Sequence, residues 1–267
     1  MDDDTPTENA TTGNATAGND TLRKLDAGEA VHGAWLLSGS PRAGEVLSRT
    51  GLDWIGIDTE HATYSPERVE SVVRAVERDA TPIVRLPSVE AAVAGAAKRA
   101  LDAGAGGVIV PGVERVADAE RAVAAATFPP AGERGAAGTV RANGYGERFD
   151  DYLGSANDDT LVVVQLESRT AVDRATEILA VDGIDVAFVG ENDLSTALGH
   201  PGEKGHPTVV DAVDRVFEAA RANGVHPGIA GRTPETMRER TDRGFRFFLL
   251  GAELSFMRRG VEAFLDE

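Results

Sequence analysis

A (β/α)₈ barrel is the fold class this sequence predicts, on three observations. Eight short apolar runs alternate with helical patterns along the chain. The length, 267 residues, suits one large α/β barrel. Polar residues gather at the C-terminal ends of the runs, where a parallel barrel builds its site. A doubly wound sheet is the alternative. No G-x-G-x-x-G opens a helix after a run, and Gly104-Ala105-Gly106 precedes one and reads as a turn. A Walker loop and a zinc-protease His pair are also missing.

The first residues, MDDDTPTENATTGNATAG, read as a polar, low-complexity tail over 1–22, with a single barrel domain over 23–267. Thr21–Gly28 is a short helix leading in. Gly33–Ser38 is the first strand and Pro41–Thr50 the first barrel helix. Trp54–Asp58 follows as strand two, with Thr59-Glu60-His61 behind it. Ser65 caps a helix over 65–79 with Pro66 at its first position. Pro82–Leu86 is strand three, ending near Arg85; Val89–Asp102 is an alanine-rich helix closed by Gly104. Gly107–Pro111 is strand four and Val116–Thr127 its helix.

Phe128–Asp159 breaks the rhythm. It is rich in Gly, Pro and charge and too long for an ordinary connection, so it is expected to cross the mouth of the site. Leu161–Leu166 is strand five, Thr170–Leu179 helical and Val186–Val189 strand six. A helix over Val209–Asn223, a weak strand Pro227–Ala230, a helix Pro234–Arg243, a strand Phe245–Leu250 and a helix Glu253–Leu265 complete eight repeats.

A net charge of −17 and a pI near 4.7 argue against nucleic acid and anionic membranes as partners. Lys24, Lys98 and Lys204 are the only lysines, and so acidic and lysine-poor a surface resembles that of a protein working in concentrated salt. With no cysteine, disulfides and thiolate metal sites are excluded. No apolar run approaches the ~20 residues of a membrane span. No signal peptide is evident, which points to the cytoplasm. Sequons at Asn9, Asn14 and Asn19 are then incidental.

The stretch from Leu161 to Ser195 organises the chemistry. Two strand ends one βα unit apart deliver the carboxylates Glu167 and Asp193. Two acids brought together repel unless protonated or bridged by a cation. Oxygen-only ligation favours a hard ion, Mg²⁺ or Mn²⁺; zinc would want histidine or cysteine. His200, His206 and His226 each precede a proline and read as turns or strand starts. Asp58, His61 and Arg85 stand at or just past the ends of strands two and three. Singly, each has a bland reading as cap, surface histidine or structural ion pair; together they fall on one end of the barrel. A Schiff-base aldolase needs a lysine at a strand end. Lys24 lies before the barrel, Lys98 inside a helix and Lys204 after strand six, so none is expected to form an imine.

These residues resemble the HpcH/HpaI aldolases, metal-dependent pyruvate aldolases acting on 4-hydroxy-2-oxo acids. The motifs that carry the resemblance are Asp53-Trp54-Ile55-Gly56-Ile57-Asp58-Thr59-Glu60-His61, Val84-Arg85, Val110-Pro111, Phe128-Pro129-Pro130-Ala131-Gly132-Glu133-Arg134-Gly135, Val164-Gln165-Leu166-Glu167 and Phe188-Val189-Gly190-Glu191-Asn192-Asp193-Leu194-Ser195. The resemblance implies a (β/α)₈ TIM barrel of the phosphoenolpyruvate/pyruvate-binding type, with Glu167 and Asp193 as metal ligands. It implies Arg85 on the keto oxygen and Asp58 paired with His61 as the acid–base group. Gln165, Asn192 and Asp193 would join Arg85 in binding substrate, and the assembly would be a homohexamer, a trimer of dimers exchanging their last helix. The partners implied are a small 2-oxo acid and an aldehyde.

Two departures stand out. Glu191-Asn192 replaces a common Pro-Ala, so backbone contacts to the pyruvate carboxylate are expected to change. Ala136–Gly146 is shorter and richer in glycine, and with Tyr145 is expected to set the aldehyde partner. The implied reaction polarises the ketone of the 2-oxo acid, releases a pyruvate enolate and uses His61 for the aldol hydroxyl proton. A CoA-ester lyase of the citrate lyase β-subunit type is the nearest alternative, though no CoA-binding run is evident. A non-catalytic barrel that binds 2-oxo acids is the other.

Overall fold

The structure is a computed structural model and describes residues 19–265. Eight parallel strands close on themselves in chain order: β1 Val31–Leu36, β2 Trp54–Asp58, β3 Thr81–Arg85, β4 Gly107–Val110, β5 Leu161–Leu166, β6 Val186–Val189, β7 His226–Ala230 and β8 Phe247–Ala252. The helices are α1 Asp20–Asp26, α2 Pro41–Ser48, α3 Pro66–Val76, α4 Val89–Ala91, α5 Ala97–Asp102, α6 Val116–Ala126, α7 Phe149–Asp159, α8 Arg169–Asp173, α9 Ala175–Ile178, α10 Glu191–Ala197, α11 Pro207–Ala222, α12 Pro234–Arg243 and α13 Glu253–Leu265. This is the (β/α)₈ barrel the sequence predicts. Four helices (α2, α3, α11 and α12) begin with proline, whose missing N–H costs nothing in a first turn.

Side-chain parity along the strands explains both the core and the site. Trp54, Ile83, Leu161, Val163, Val186, Phe188 and Phe247 point into the barrel, while Ile55, Ile57, Val84, Val162, Val164 and Leu166 pack outward under the helices. Trp54 stacks on Phe247 at 4.4 Å, and only glycine fits at Gly33, where a Cβ would lie 2.0 Å from the indole. Carrying the same parity upward brings Asp58, Arg85, Gln165 and Glu167 to the inside of the barrel's C-terminal end.

Several local expectations change. β1 starts two residues early and ends at Leu36, because the N–H groups of Leu37 and Ser38 turn to the buried carboxylate of Glu253. The helix expected over Val89–Asp102 is interrupted by a π turn at Ala92–Ala96, where Gly95 takes φ +99°. The one expected over Thr170–Leu179 breaks at Arg174 into α8 and α9. α1 begins at Asp20, inside the expected tail; Asn19 caps it and donates to the carbonyls of Gly106 and Asp159 at 2.7 and 3.1 Å. The sequons at Asn9 and Asn14 and the disorder expected of the tail lie outside the described residues.

The segment 128–159 does not cross the mouth. α6 runs back toward the strand N-termini, so its connection to β5 lies at the far end of the barrel. There Arg141 donates to the carbonyl of Ala103 at 2.9 Å and pairs with Glu77. Arg134 bonds Asp102 and Tyr152, both at 2.7 Å. Tyr145, expected to face the aldehyde, instead accepts from Arg74 at 2.8 Å beside the last turn of α3. The segment is also less irregular than its composition indicates. α7 buries only Ala156, so it has no apolar stripe by which a helix could be recognised.

The same end of the barrel carries Asp185, which accepts the Val162 N–H at 2.7 Å. Burial pushes its carboxyl up to about 6 from 3.8, and the charge of Asp26 adds to the shift. An acid with a raised folded pKa stabilises the fold below its unfolded pKa and loses that contribution as pH rises through about 6. Asp185→Asn keeps an oxygen for Val162 without the charge. It should raise the melting temperature at pH 8, by up to about 3 kcal/mol of stability, and the advantage should vanish near pH 4. Thermal unfolding at the two pH values checks this; a destabilised variant at pH 8 would contradict it.

Candidate active site

Asp58 and Arg85 sit side by side because β2 and β3 pair in register, Asp58 against Arg85. Arg85 donates from Nε to Asp58 Oδ1 at 3.0 Å and from Nη2 to Oδ2 at 2.6 Å; its Nη1 lies 3.0 Å from Glu60 Oε2. Asp58 is fully buried, so this fork of bonds is what makes its charge tolerable. The guanidinium rests 4.3 Å above the ring of Trp35, which lies in the barrel because Gly56 leaves it room: a Cβ there would be 2.3 Å from the indole. Trp35 forms the floor of the site, a role its place in the apolar run GAWLL does not reveal.

The expected Asp58–His61 pair is not formed between side chains. Besides Arg85, Asp58 Oδ1 accepts the backbone N–H groups of Glu60 and His61, at 3.0 and 3.2 Å. Its oxygens are spent on the turn and on the guanidinium. The His61 side chain is 62% exposed, and its Nε2 lies 3.8 Å from Glu60 Oε2. Glu60 therefore stands between Arg85 and His61, as the carboxylate nearest the imidazole that the resemblance had paired with Asp58. Burial raises the Glu60 carboxyl above its ordinary range, against the pull of Arg85 and His61, with Asp58 and Asp193 adding to the rise.

On the opposite wall, Glu167 accepts the Gly112 N–H at 2.9 Å and a bond from the Gln165 amide. It approaches the backbone at Gly190, where a Cβ would stand 2.7 Å from Oε2. Burial raises its carboxyl too, and the charges of Glu60 and Asp193 raise it further. Asp193 extends from the first turn of α10, exposed at the mouth beside Asn192. Buried Gln165 leaves Oε1 without a partner.

Among the described residues, no three His, Cys, Asp or Glu side chains gather around one point. The fit to a divalent ion rests on the Glu167–Asp193 pair and the orphan oxygen of Gln165. A cation there would offset the repulsion between the two carboxylates. The donor set, oxygen only, suits Mg²⁺ or Mn²⁺.

Trp35, Asp58, His61, Arg85, Gln165 and Asp193 line a cavity of about 440 Å³ at the C-terminal end of the barrel. Its outer wall holds further charged residues, of which the sequence analysis had not singled out Arg232 and Arg240. Glu191, 5% exposed, takes a fork of bonds from Arg240, at 2.7 and 2.9 Å. Lys204 and Arg232 also line the cavity. Their convergence depends on β6 and β7 being neighbours, a relation no local motif encodes. His226 lies at the other end, 3.6 Å from Asp26, whereas His200 and His206 stack at 3.4 Å in the connection that carries Lys204.

A closed parallel barrel with arginine, glutamine and carboxylates gathered at one end defines a (β/α)₈-barrel enzyme. The sequence model of the HpcH/HpaI aldolase/citrate lyase family matches residues 32–259, and the chain belongs to that family. It is 38% identical over 256 residues to a hydroxypyruvate/pyruvate aldolase of Paraburkholderia phytofirmans, covering 93% of this chain and 97% of the relative. A 5-keto-4-deoxy-D-glucarate aldolase of an Enterobacter species is 35% identical, with 91% and 93% covered. The crystal structure of an HpcH/HpaI aldolase/citrate lyase family protein from Burkholderia cenocepacia superposes with a TM-score of 0.87 at 39% identity, covering 93% and 98%. The chain is thus an aldolase-type lyase.

Proposed function

We propose that this enzyme reversibly cleaves a 4-hydroxy-2-oxo acid, or a 2-keto-3-deoxy sugar acid, to pyruvate and an aldehyde with the help of Mg²⁺ or Mn²⁺. The observation that carries the reading is the meeting of a buried, carboxylate-braced arginine with Gln165 and Asp193 in one cavity, with Glu167 held behind them by the Gln165 amide. Glu167 and Asp193 would hold the ion, which when bound supplies Lewis-acid polarisation of the ketone.

The protein's own groups do the rest. Arg85 has five N–H donors and spends two on Asp58, which, with Glu60 3.0 Å from Nη1, fixes its plane over Trp35. The remaining donors serve the keto oxygen, where negative charge develops as the carbon–carbon bond breaks. His61 Nε2 takes the proton of the aldol hydroxyl, directly or through water, and Glu60 offsets the charge it gains. In the reverse direction His61 returns that proton to the new hydroxyl. Gln165 and Asn192 orient the substrate from the same wall. Pyruvate release from a panel of 4-hydroxy-2-oxo acids tests the reading; cleavage of CoA esters instead would move it to the citrate lyase type.

The homohexamer, a trimer of dimers exchanging their last helix, has support from α13. Its one buried residue is Glu253, while Leu254, Met257, Val261, Phe264 and Leu265 stand 48–83% exposed along one side. An apolar stripe of that length calls for a covering surface. Phe264→Asp should lower the mass measured by light scattering; an unchanged hexamer, or a wild-type monomer, would refute the exchange. No helix among the described residues is long and apolar enough to cross a membrane, and the enzyme is assigned to the cytoplasm.

A further inference from the structure

The seam between β6 and β7 is open at its C-terminal end. Their ladder stops at Phe188 and Gly228, whereas β5 pairs with β6 up to Val189 and β7 with β8 up to Ala230. Arg240 bridges the gap from α12. Its Nη1 donates to the carbonyl of Ala230, the last residue of β7, and to Glu191 Oε2 at 2.9 Å. Its Nη2 donates to Glu191 Oε1 at 2.7 Å. Glu191 opens α10 just past β6, so one guanidinium joins two segments that both border the cavity.

What this bridge holds is the backbone that carries Asn192 and Asp193 to the mouth. Asp193 is exposed and, among the described residues, makes no side-chain hydrogen bond or ion pair. Its place therefore follows from the first turn of α10. Leu194 and Ser195 bury the body of that helix, but the first turn has little else to fix it. Gly190 supplies no side-chain cap, and its own N–H reaches the Leu166 carbonyl at 3.3 Å, a long bond. Glu191 is the side chain of that turn tied to another element, and being buried it requires such a partner. α12 buries none of its ten residues, so apolar packing does not account for Arg240 standing where it does.

We propose that Arg240 and Glu191 are positioning residues, which together fix the aim of Asp193 toward Glu167 and so set the affinity of the site for a divalent ion. The inference rests on the reading of Glu167 and Asp193 as metal ligands. Glu191 is not itself a ligand, because both of its carboxylate oxygens are spent on Arg240. The two residues act through the backbone of the first turn. The sign of the effect separates this role from simple electrostatics. By charge alone, removing an arginine beside a cation site should tighten metal binding. A clamp requires the opposite, because a misdirected ligand binds more weakly.

The test is calorimetric titration of Mn²⁺ into the full-length protein, with thermal unfolding of each variant measured alongside. Arg240→Ala should raise the Mn²⁺ Kd by about 10–100-fold, the range for a metal ligand that loses its support. The cleavage rate should then recover as Mn²⁺ is raised to saturate the weakened site. Arg240→Ala strands a buried carboxylate, so the double variant Glu191→Met/Arg240→Met is titrated beside it. That variant removes both charges together and leaves the net charge unchanged, and it should lose affinity to the same degree. Arg243→Ala is the control on the same helix. Arg243 lies 2.6 Å from Asp214 Oδ1 and 4.9 Å over the ring of Phe217, so its loss should lower the melting temperature and leave Mn²⁺ binding unchanged. Wild-type affinity in the double variant, tighter binding in Arg240→Ala, or equal weakening in Arg243→Ala would overturn the clamp. These outcomes leave the metal site standing. A wild-type protein that binds no Mn²⁺ would instead remove the metal reading, and the clamp with it.

Discussion

His61→Ala should lower aldol cleavage by about 10²–10⁴-fold, the usual range for a lost general base, while oxaloacetate decarboxylation falls much less. Both reactions pass through the pyruvate enolate, but only aldol cleavage has a hydroxyl proton to remove. His61 suits the experiment because its side chain is largely exposed and holds nothing together, so the melting temperature should not move. Arg85 is the contrast. It neutralises a fully buried Asp58 and would face the oxygen common to both reactions, so Arg85→Lys should depress both and destabilise the fold as well. Equal losses in the two reactions for His61→Ala would place that imidazole on the enolate and remove it from the hydroxyl.

Glu60 gives this experiment a further meaning. The family resemblance implied Asp58 as the partner of His61, three residues away. The motif alone could not show that Asp58 would be consumed by Arg85 and by two backbone N–H groups. Glu60, next in the chain to His61, is the carboxylate left within reach of the ring.

Much of the site was readable because strand parity is a local rule. With Trp54 inside the barrel, Asp58 must also be inside; with Val163 inside, Gln165 and Glu167 must follow. Trp35 and Glu253 were not readable in the same way. One looks like any core residue of a strand, and the other like the first residue of a helix. Each has its role through a partner distant in sequence, Arg85 or the backbone of Leu37 and Ser38.

The position of 128–159 was readable in principle and misread. A connection from helix to strand in a parallel barrel must lie at the strand N-termini, whatever its length. Composition drew attention to function where connectivity alone places it opposite the site. Lys204 and Arg232 belong to a third kind, residues on two separate connections that meet because β6 and β7 are adjacent.

Metal dependence is the most direct test of the central claim, that two carboxylates and an arginine, with no imine-forming lysine, provide the electrophilic centre. Pyruvate release from a 4-hydroxy-2-oxo acid should stop on chelation and return with Mg²⁺ or Mn²⁺, and Glu167→Gln should resist that rescue. Treatment with borohydride in the presence of pyruvate should leave the activity intact. Cleavage that survives complete chelation, or a pyruvate adduct trapped on Lys204, would contradict the account.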